Sequence, residues 1–276
     1  MKLVTFRHSS GRVEPGVILD DNQVMGLGAA GFDDMIDLIA SRRDLPAVGP
    51  LYPIASVKLL APIPRPGKIL MVGLNYRDHA IETKMEMPKA PTIFSKFWNT
   101  VIGPGENIVL PRKSEKPDYE AEFAFVIGKG GRYVDPERWQ EHIFGYTIVN
   151  DVSARDFQMA TTQWLMGKSC DTFCPMGPWI VTKDEIPDPH NLDVKMIVNG
   201  EVLQHSNTRE FIFRIPDLLA YISSVITLEP GDVVSTGTPS GVGFARQPPR
   251  FLRPGDECVV EVEGIGALRN PVIAEA

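Results

Sequence analysis

Apolar residues recur along this chain mostly at the spacing of strands, and only twice at the clear spacing of a helix. The stretches 2–7 and 16–19 predict strands. They precede one amphipathic helix over 32–41, where Phe32, Met35, Ile36 and Ile39 share a face. Asp33, Asp34 and Asp37 lie in its first turns, where acidic groups suit the helix dipole. Pro62, Pro64 and Pro66 then exclude both helix and central strand, so the run marks a boundary. Residues 1–65 are expected to form a small N-terminal domain and residues 66–276 a larger one.

In the larger part, strands are predicted at 68–73, 119–127, 143–150, 178–182, 194–198, 232–235 and 257–262. Residues 75–84 fit a helix or an ordered loop, and 85–117 look irregular and proline-marked. Ser153 is expected to cap a short helix beginning at residue 154. A second clear helix starts at Pro216 and places Leu218, Leu219, Ile222, Val225 and Ile226 on one face. No repeat or low-complexity tract interrupts the pattern. The expected fold class is mostly β within α+β.

Composition narrows the function. Of 276 residues, 43% are hydrophobic and 23% charged, the balance of a folded globular chain rather than a disordered one. Acidic residues outnumber basic ones 35 to 28, for a net charge of −7, so no nucleic-acid partner is expected. No apolar run approaches the roughly 20 residues that span a bilayer, and no membrane role is expected. The N-terminus lacks a signal-peptide core, and Cys170, Cys174 and Cys258 are too few and scattered for a disulfide framework or a structural zinc site. A reducing cytoplasm is the expected compartment.

The chemistry concentrates at Asp118-Tyr119-Glu120-Ala121-Glu122-Phe123-Ala124-Phe125-Val126. Alternate strand residues share a face, so Glu120 and Glu122 project side by side, with Ala124 and Val126 continuing that face. Two adjacent buried carboxylates need protonation, basic partners or a cation. A strand with a polar outer face is the plainer alternative. Asp151 ends the apolar strand 145–150 and adds a third carboxylate. Three oxygen ligands without His or Cys favour a hard cation, Mg²⁺ first and Mn²⁺ or Ca²⁺ next. Arg155 and Gln158, three apart, share a helical face that can hold a substrate carboxylate, or they form an ordinary surface pair. His79 and Glu82, also three apart, fit a general base with its orienting carboxylate, or an exposed His–Glu pair.

Five segments in order carry a resemblance to a known family. They are Val72-Gly73-Leu74-Asn75-Tyr76-Arg77-Asp78-His79-Ala80-Ile81-Glu82, the stretch 118–129 around Glu120 and Glu122, and Gly145 to Gln158 around Asp151. Gln163-Trp164-Leu165-Met166-Gly167-Lys168 running on to Pro178, and Ser235-Thr236-Gly237-Thr238 running on to Gly243, complete the set. From about residue 66 onward the chain resembles the fumarylacetoacetate hydrolase (FAH) superfamily, within it the domain-containing 2 type and bacterial enzymes acting on small dioxo acids. The resemblance implies a mixed β-roll around a metal site, a small N-terminal domain and a homodimer. It also implies Glu120, Glu122 and Asp151 as metal ligands, His79 and Glu82 as a lid dyad, Lys168 as the active-site lysine and Thr238 as a contact to the 2-oxo acid end.

The leading expectation is a Mg²⁺-dependent hydrolase that cleaves a C–C bond in a small 2,4-dioxo, acylpyruvate-like acid through a cation-stabilised enolate. In it, His79 with Glu82 activates water, Lys168 carries developing negative charge, and Arg155, Gln158 and Thr238 hold the acid end. Oxaloacetate decarboxylation, keto–enol tautomerisation and hydration or isomerisation of a 2-oxo acid use the same apparatus and stand as alternatives. A metal- or ligand-binding domain without turnover is the non-enzymatic one. Trp98, Trp139, Trp164 and Trp179 are expected in core or interface positions.

Overall fold

The computed structural model describes residues 1–20 and 22–276. Strands dominate, as the patterning predicts. The largest sheet runs, from one edge, through Leu51–Pro53, Gln23–Gly26, Val13–Asp20, Lys2–Arg7, Cys174–Thr182, Ile143–Asn150, Ala121–Ile127, Val233–Ser235, Ile69–Gly73 and Thr92–Lys96. Most neighbours are antiparallel, and Val233–Ser235 pairs Ile69–Gly73 in parallel. A second, five-stranded sheet orders Glu201–Asn207, Asp193–Val198, Glu257–Val262, Gly266–Ala274 and Ile108–Leu110.

The strand Ala121–Ile127 is buried throughout, because both of its faces are covered. Phe123, Phe125 and Ile127 enter one apolar cluster with Tyr146, Ile148, Leu218 and Val260. Ala124 and Val126 enter another with Leu3, Met35, Ile39 and Met176. Glu120 and Glu122 therefore continue a face that is apolar and covered, and the polar-outer-face alternative does not describe them.

Residues 1–60 join the large sheet edge-on. Lys2 pairs Val181 and Leu3 pairs Ile180, while Thr5 Oγ1 donates to Pro62 O at 2.6 Å. The proline-rich run is packed rather than free, with Ile63 buried in the Leu3 cluster.

Three local readings change. The irregular stretch holds three strands, Thr92–Lys96, Val101–Ile102 and Ile108–Leu110, each too short to show a period. Ser153 does not cap a helix. It pairs with Asp118 in a two-residue strand, and its hydroxyl turns back to Asp151 O. The helix Arg155–Gln158 begins after it. The later helix covers Ile215–Ser223 and stops before Val225, which is exposed. Trp98 is half exposed, and Trp164 is only partly covered.

Candidate metal centre and active site

Strand register assembles the acidic cluster. Ala121 pairs Asn150 and Glu122 pairs Val149, so Glu120 and Asp151 face each other one step beyond the ladder. Asp151 N closes that gap by donating to Glu120 O at 2.9 Å. Ligand oxygens of Glu120, Glu122 and Asp151 all lie within 4.8 Å of one another, and all three residues are buried. They form one wall of a cavity of about 850 Å³, which His79, Arg155, Gln158, Lys168 and Thr238 also line. Every site residue expected from the sequence except Glu82 thus borders this one space, and Glu82 bonds to His79 from behind.

Charge is matched unevenly across the three acids. Lys168 Nζ donates to Glu120 Oε2 at 2.9 Å and to Asp151 Oδ2 at 2.7 Å. Arg155 donates through Nε to Asp118 Oδ2 and through Nη1 to Gln158 Oε1, and its Nη2 lies 2.6 Å from Glu120 Oε1 as an off-axis ion pair. Burial pushes the Glu120 carboxyl up, but Lys168 and Arg155 outweigh it and hold the group down at about 2. Glu122 has no such cation. Burial, then the Asp151 and Glu120 charges, push its carboxyl well above the usual range, although Ser235 Oγ donates to it at 2.5 Å and Gly237 N at 3.1 Å. Burial alone would lower the Lys168 ammonium, but Asp151 and Glu120 hold it above its ordinary value, so it stays charged.

A hard divalent cation fits this arrangement. The donors are all carboxylate oxygens, the most strained carboxylate has no counter-charge, and Asp151 Oδ1 is buried without a hydrogen bond. Lys96 Nζ does lie 2.8 Å from that oxygen, but its N–H bonds point elsewhere. They reach Val152 O at 2.9 Å, Phe173 O at 2.8 Å and Lys168 O. Lys96 is fully buried and ties three site-bearing segments together, and sequence reading missed it. The alternation of Thr92–Lys96 gives no sign that this lysine points inward.

The remaining positions are set by close packing. Helix Leu165–Lys168 lies against helix Arg155–Gln158, and a Cβ on Gly167 would sit 2.5 Å from Gln158 N and 2.6 Å from Ala154 O. Gly237 has φ +94°, and a Cβ there would meet Val72 O and Asn75 Cβ at 2.9 Å. Thr238 Oγ1 donates to Ala121 O at 3.0 Å and accepts from Gln204 Nε2 at 2.8 Å. Its single proton is thereby committed, so the hydroxyl can offer a ligand only acceptance. Arg155 is engaged on each of its three nitrogens and stacks on Phe244, which makes it an organiser of Asp118, Glu120 and Gln158.

Helix Arg77–Thr83 carries the dyad. His79 Nδ1 is 3.0 Å from Glu82 Oε2, and Glu82 Oε1 accepts from Gly241 N at 2.9 Å. Asp78 pins the helix start, accepting from His79 N and from Ser206 Oγ. The carboxylate thus fixes which imidazole nitrogen faces it, Nδ1, and turns Nε2 away from it.

Residues 68–273 match the model of the fumarylacetoacetate hydrolase C-terminal family. The chain belongs to that family. The mitochondrial oxaloacetate tautomerase Fahd2a of Rattus norvegicus is 49% identical over 237 residues, covering 86% of this chain and 76% of that protein. Among solved structures, fumarylacetoacetate hydrolase from Exiguobacterium antarcticum aligns over the full length of both chains at 37% identity and a TM-score of 0.89. The 5-carboxymethyl-2-hydroxymuconate delta-isomerase of Mycobacterium smegmatis does so at 38% identity and 0.85. The chain is therefore of an enzyme family whose members include tautomerases, isomerases and hydrolases. No helix among the described residues is long and apolar enough to cross a membrane.

Proposed function

We propose that this protein is a Mg²⁺-dependent tautomerase that moves a proton between carbon and oxygen in a small 2-oxo acid, with oxaloacetate the first substrate to test. The observation that carries the reading is the meeting, in one cavity, of a three-carboxylate cation site and the His79–Glu82 dyad. The relative named as an oxaloacetate tautomerase supports tautomerisation over the hydrolysis expected from sequence.

Glu120, Glu122 and Asp151 would hold the cation, which as a Lewis acid would polarise the 2-oxo group and neutralise charge developing on its oxygen. His79, oriented by Glu82, takes the proton from the carbon next to the carbonyl or returns it there. Lys168 places a fixed positive charge between Glu120 and Asp151, beside the oxygen that becomes negative. Arg155 keeps Glu120 ionised and Gln158 in place, and so shapes the end where the acid group binds. Residues 66–276 carry this chemistry in our reading, with 1–65 an added N-terminal unit. Exposed Phe97 and Trp98 support a homodimer, and three free cysteines support a reducing compartment.

C–C hydrolysis remains the second reading, because the same dyad can activate water. Both are tested by giving the Mg²⁺-loaded protein oxaloacetate and acetylpyruvate while following enol absorbance and pyruvate separately. Loss of enol from oxaloacetate without pyruvate is the expected result. Pyruvate from acetylpyruvate would establish hydrolysis instead, and inertness towards both would refute an enzyme of this substrate class.

A further inference from the structure

Among the described cations that line the cavity, one has no carboxylate partner. Three permanent cations border the cavity: Arg155, Lys168 and Lys116. Arg155 is matched by Asp118 and Glu120, and Lys168 by Glu120 and Asp151. Among the described residues Lys116 has no carboxylate partner, and its side chain is exposed towards solvent. Asp156 shares the wall, and its oxygens accept from Ser114 Oγ at 2.8 Å and from Glu115 N at 2.7 Å rather than from Lys116.

The backbone beneath Lys116 is nevertheless fixed. Its carbonyl accepts from Arg155 N at 2.9 Å, and the next two residues, Pro117 and Asp118, pair with Ala154 and Ser153. The base of the side chain is thus anchored beside the residue that organises Glu120, while its ammonium is exposed and unmatched. The same cavity has Phe244, Pro249 and Phe251 on its wall. An anionic group entering there meets one unspent cation in a setting that screens it less than open water.

The geometry points to Lys116 as a specificity-determining residue that receives the distal carboxylate of a dicarboxylic 2-oxo acid. This rests on the reading of the site as one for small 2-oxo acids such as oxaloacetate, and it adds which residue meets the second negative charge. Oxaloacetate is pyruvate with a carboxylate in place of one methyl hydrogen, so the two form the test pair.

Calorimetric titration of both into the Mg²⁺-loaded protein, wild type and Lys116→Met, reads the effect directly. Lys116→Met weakens oxaloacetate binding roughly tenfold and leaves pyruvate affinity within about twofold. Lys116→Glu weakens oxaloacetate further, Lys116→Arg retains most of its affinity, and added salt shrinks the difference. Equal losses for both ligands, or no loss for oxaloacetate, overturn the assignment. Oxaloacetate binding that shows the predicted Lys116 dependence but no change of enol would remove the tautomerase reading and leave this site standing. Failure of wild type to bind either acid removes both.

Discussion

Replacing Lys96 with Met asks how much of the site is held by one buried ammonium. Its three N–H donors serve the carbonyls of Val152, Lys168 and Phe173, and its charge lies 2.8 Å from Asp151 Oδ1. Methionine fills a similar volume but leaves three buried carbonyls without a donor and Asp151 with Lys168 alone. Removing one member of a buried, hydrogen-bonded ionic group costs about 3–5 kcal/mol, the loss being moderated because the buried ammonium itself is gone. With a urea m-value of about 3 kcal/mol/M, that corresponds to a midpoint lower by about 1–1.7 M. The whole stability of a folded domain is about 5–15 kcal/mol, so a loss of this size takes a large share of it but leaves most of that range folded without denaturant. Equilibrium urea unfolding followed by tryptophan fluorescence is the assay. A midpoint within about 0.3 M of wild type, at unchanged m, would refute the reasoning that Lys96 clamps these segments.

Other consequences can be checked separately. Glu122→Gln keeps an acceptor for Ser235 and Gly237 but removes the uncompensated charge, and should weaken Mg²⁺ binding at least roughly tenfold by calorimetry without unfolding the protein. Gly167→Val should lower activity more than stability-matched surface changes, because its side chain would force apart the helices that carry Gln158 and Lys168. His79→Ala should retain Mg²⁺ affinity while slowing enol turnover by roughly a hundredfold or more, and an unchanged rate would remove the dyad from the mechanism. His190 supplies a pH test. Burial first, then Arg214, lower its imidazole below the ordinary 6.5, and neutral Nε2 accepts from Ile215 N. A lowered folded value means stability is complete above about 6.5 and is lost as pH falls below it, so the urea midpoint should drop between pH 7 and 5. His190→Gln should flatten that slope, and an identical slope would reject the assignment.

What was legible in the sequence follows the range over which each signal acts. The pair Glu120 and Glu122 shows itself through a two-residue period in an otherwise apolar strand, and Asp151 through its place at the end of another. His79 with Glu82, and Arg155 with Gln158, are local three-residue spacings that survive in the fold as direct contacts. Lys96 and Lys116 gave no such signal. One points inward because three separate segments close around it, and the other stands out only because the other two cations of the cavity are paired. The stretch 85–117 hid its strands because two- to five-residue strands broken by proline show no period. Ser153 looked like a helix cap until the strand of Pro117 and Asp118 claimed it. Thr238 was found by resemblance, but its hydroxyl bonds to Ala121 and Gln204 depend on strand register, which no local pattern displays.

The central claim is that Glu120, Glu122 and Asp151 form a cation site from which the chemistry of the cavity follows. Crystals of the wild-type protein grown with Mn²⁺, measured for anomalous scattering, test it most directly. The account predicts one strong anomalous peak between these three carboxylates, bordering the cavity that His79 and Lys168 line. A peak held by other residues, with these three left bonded only to Lys168, Arg155 and Ser235, would contradict it.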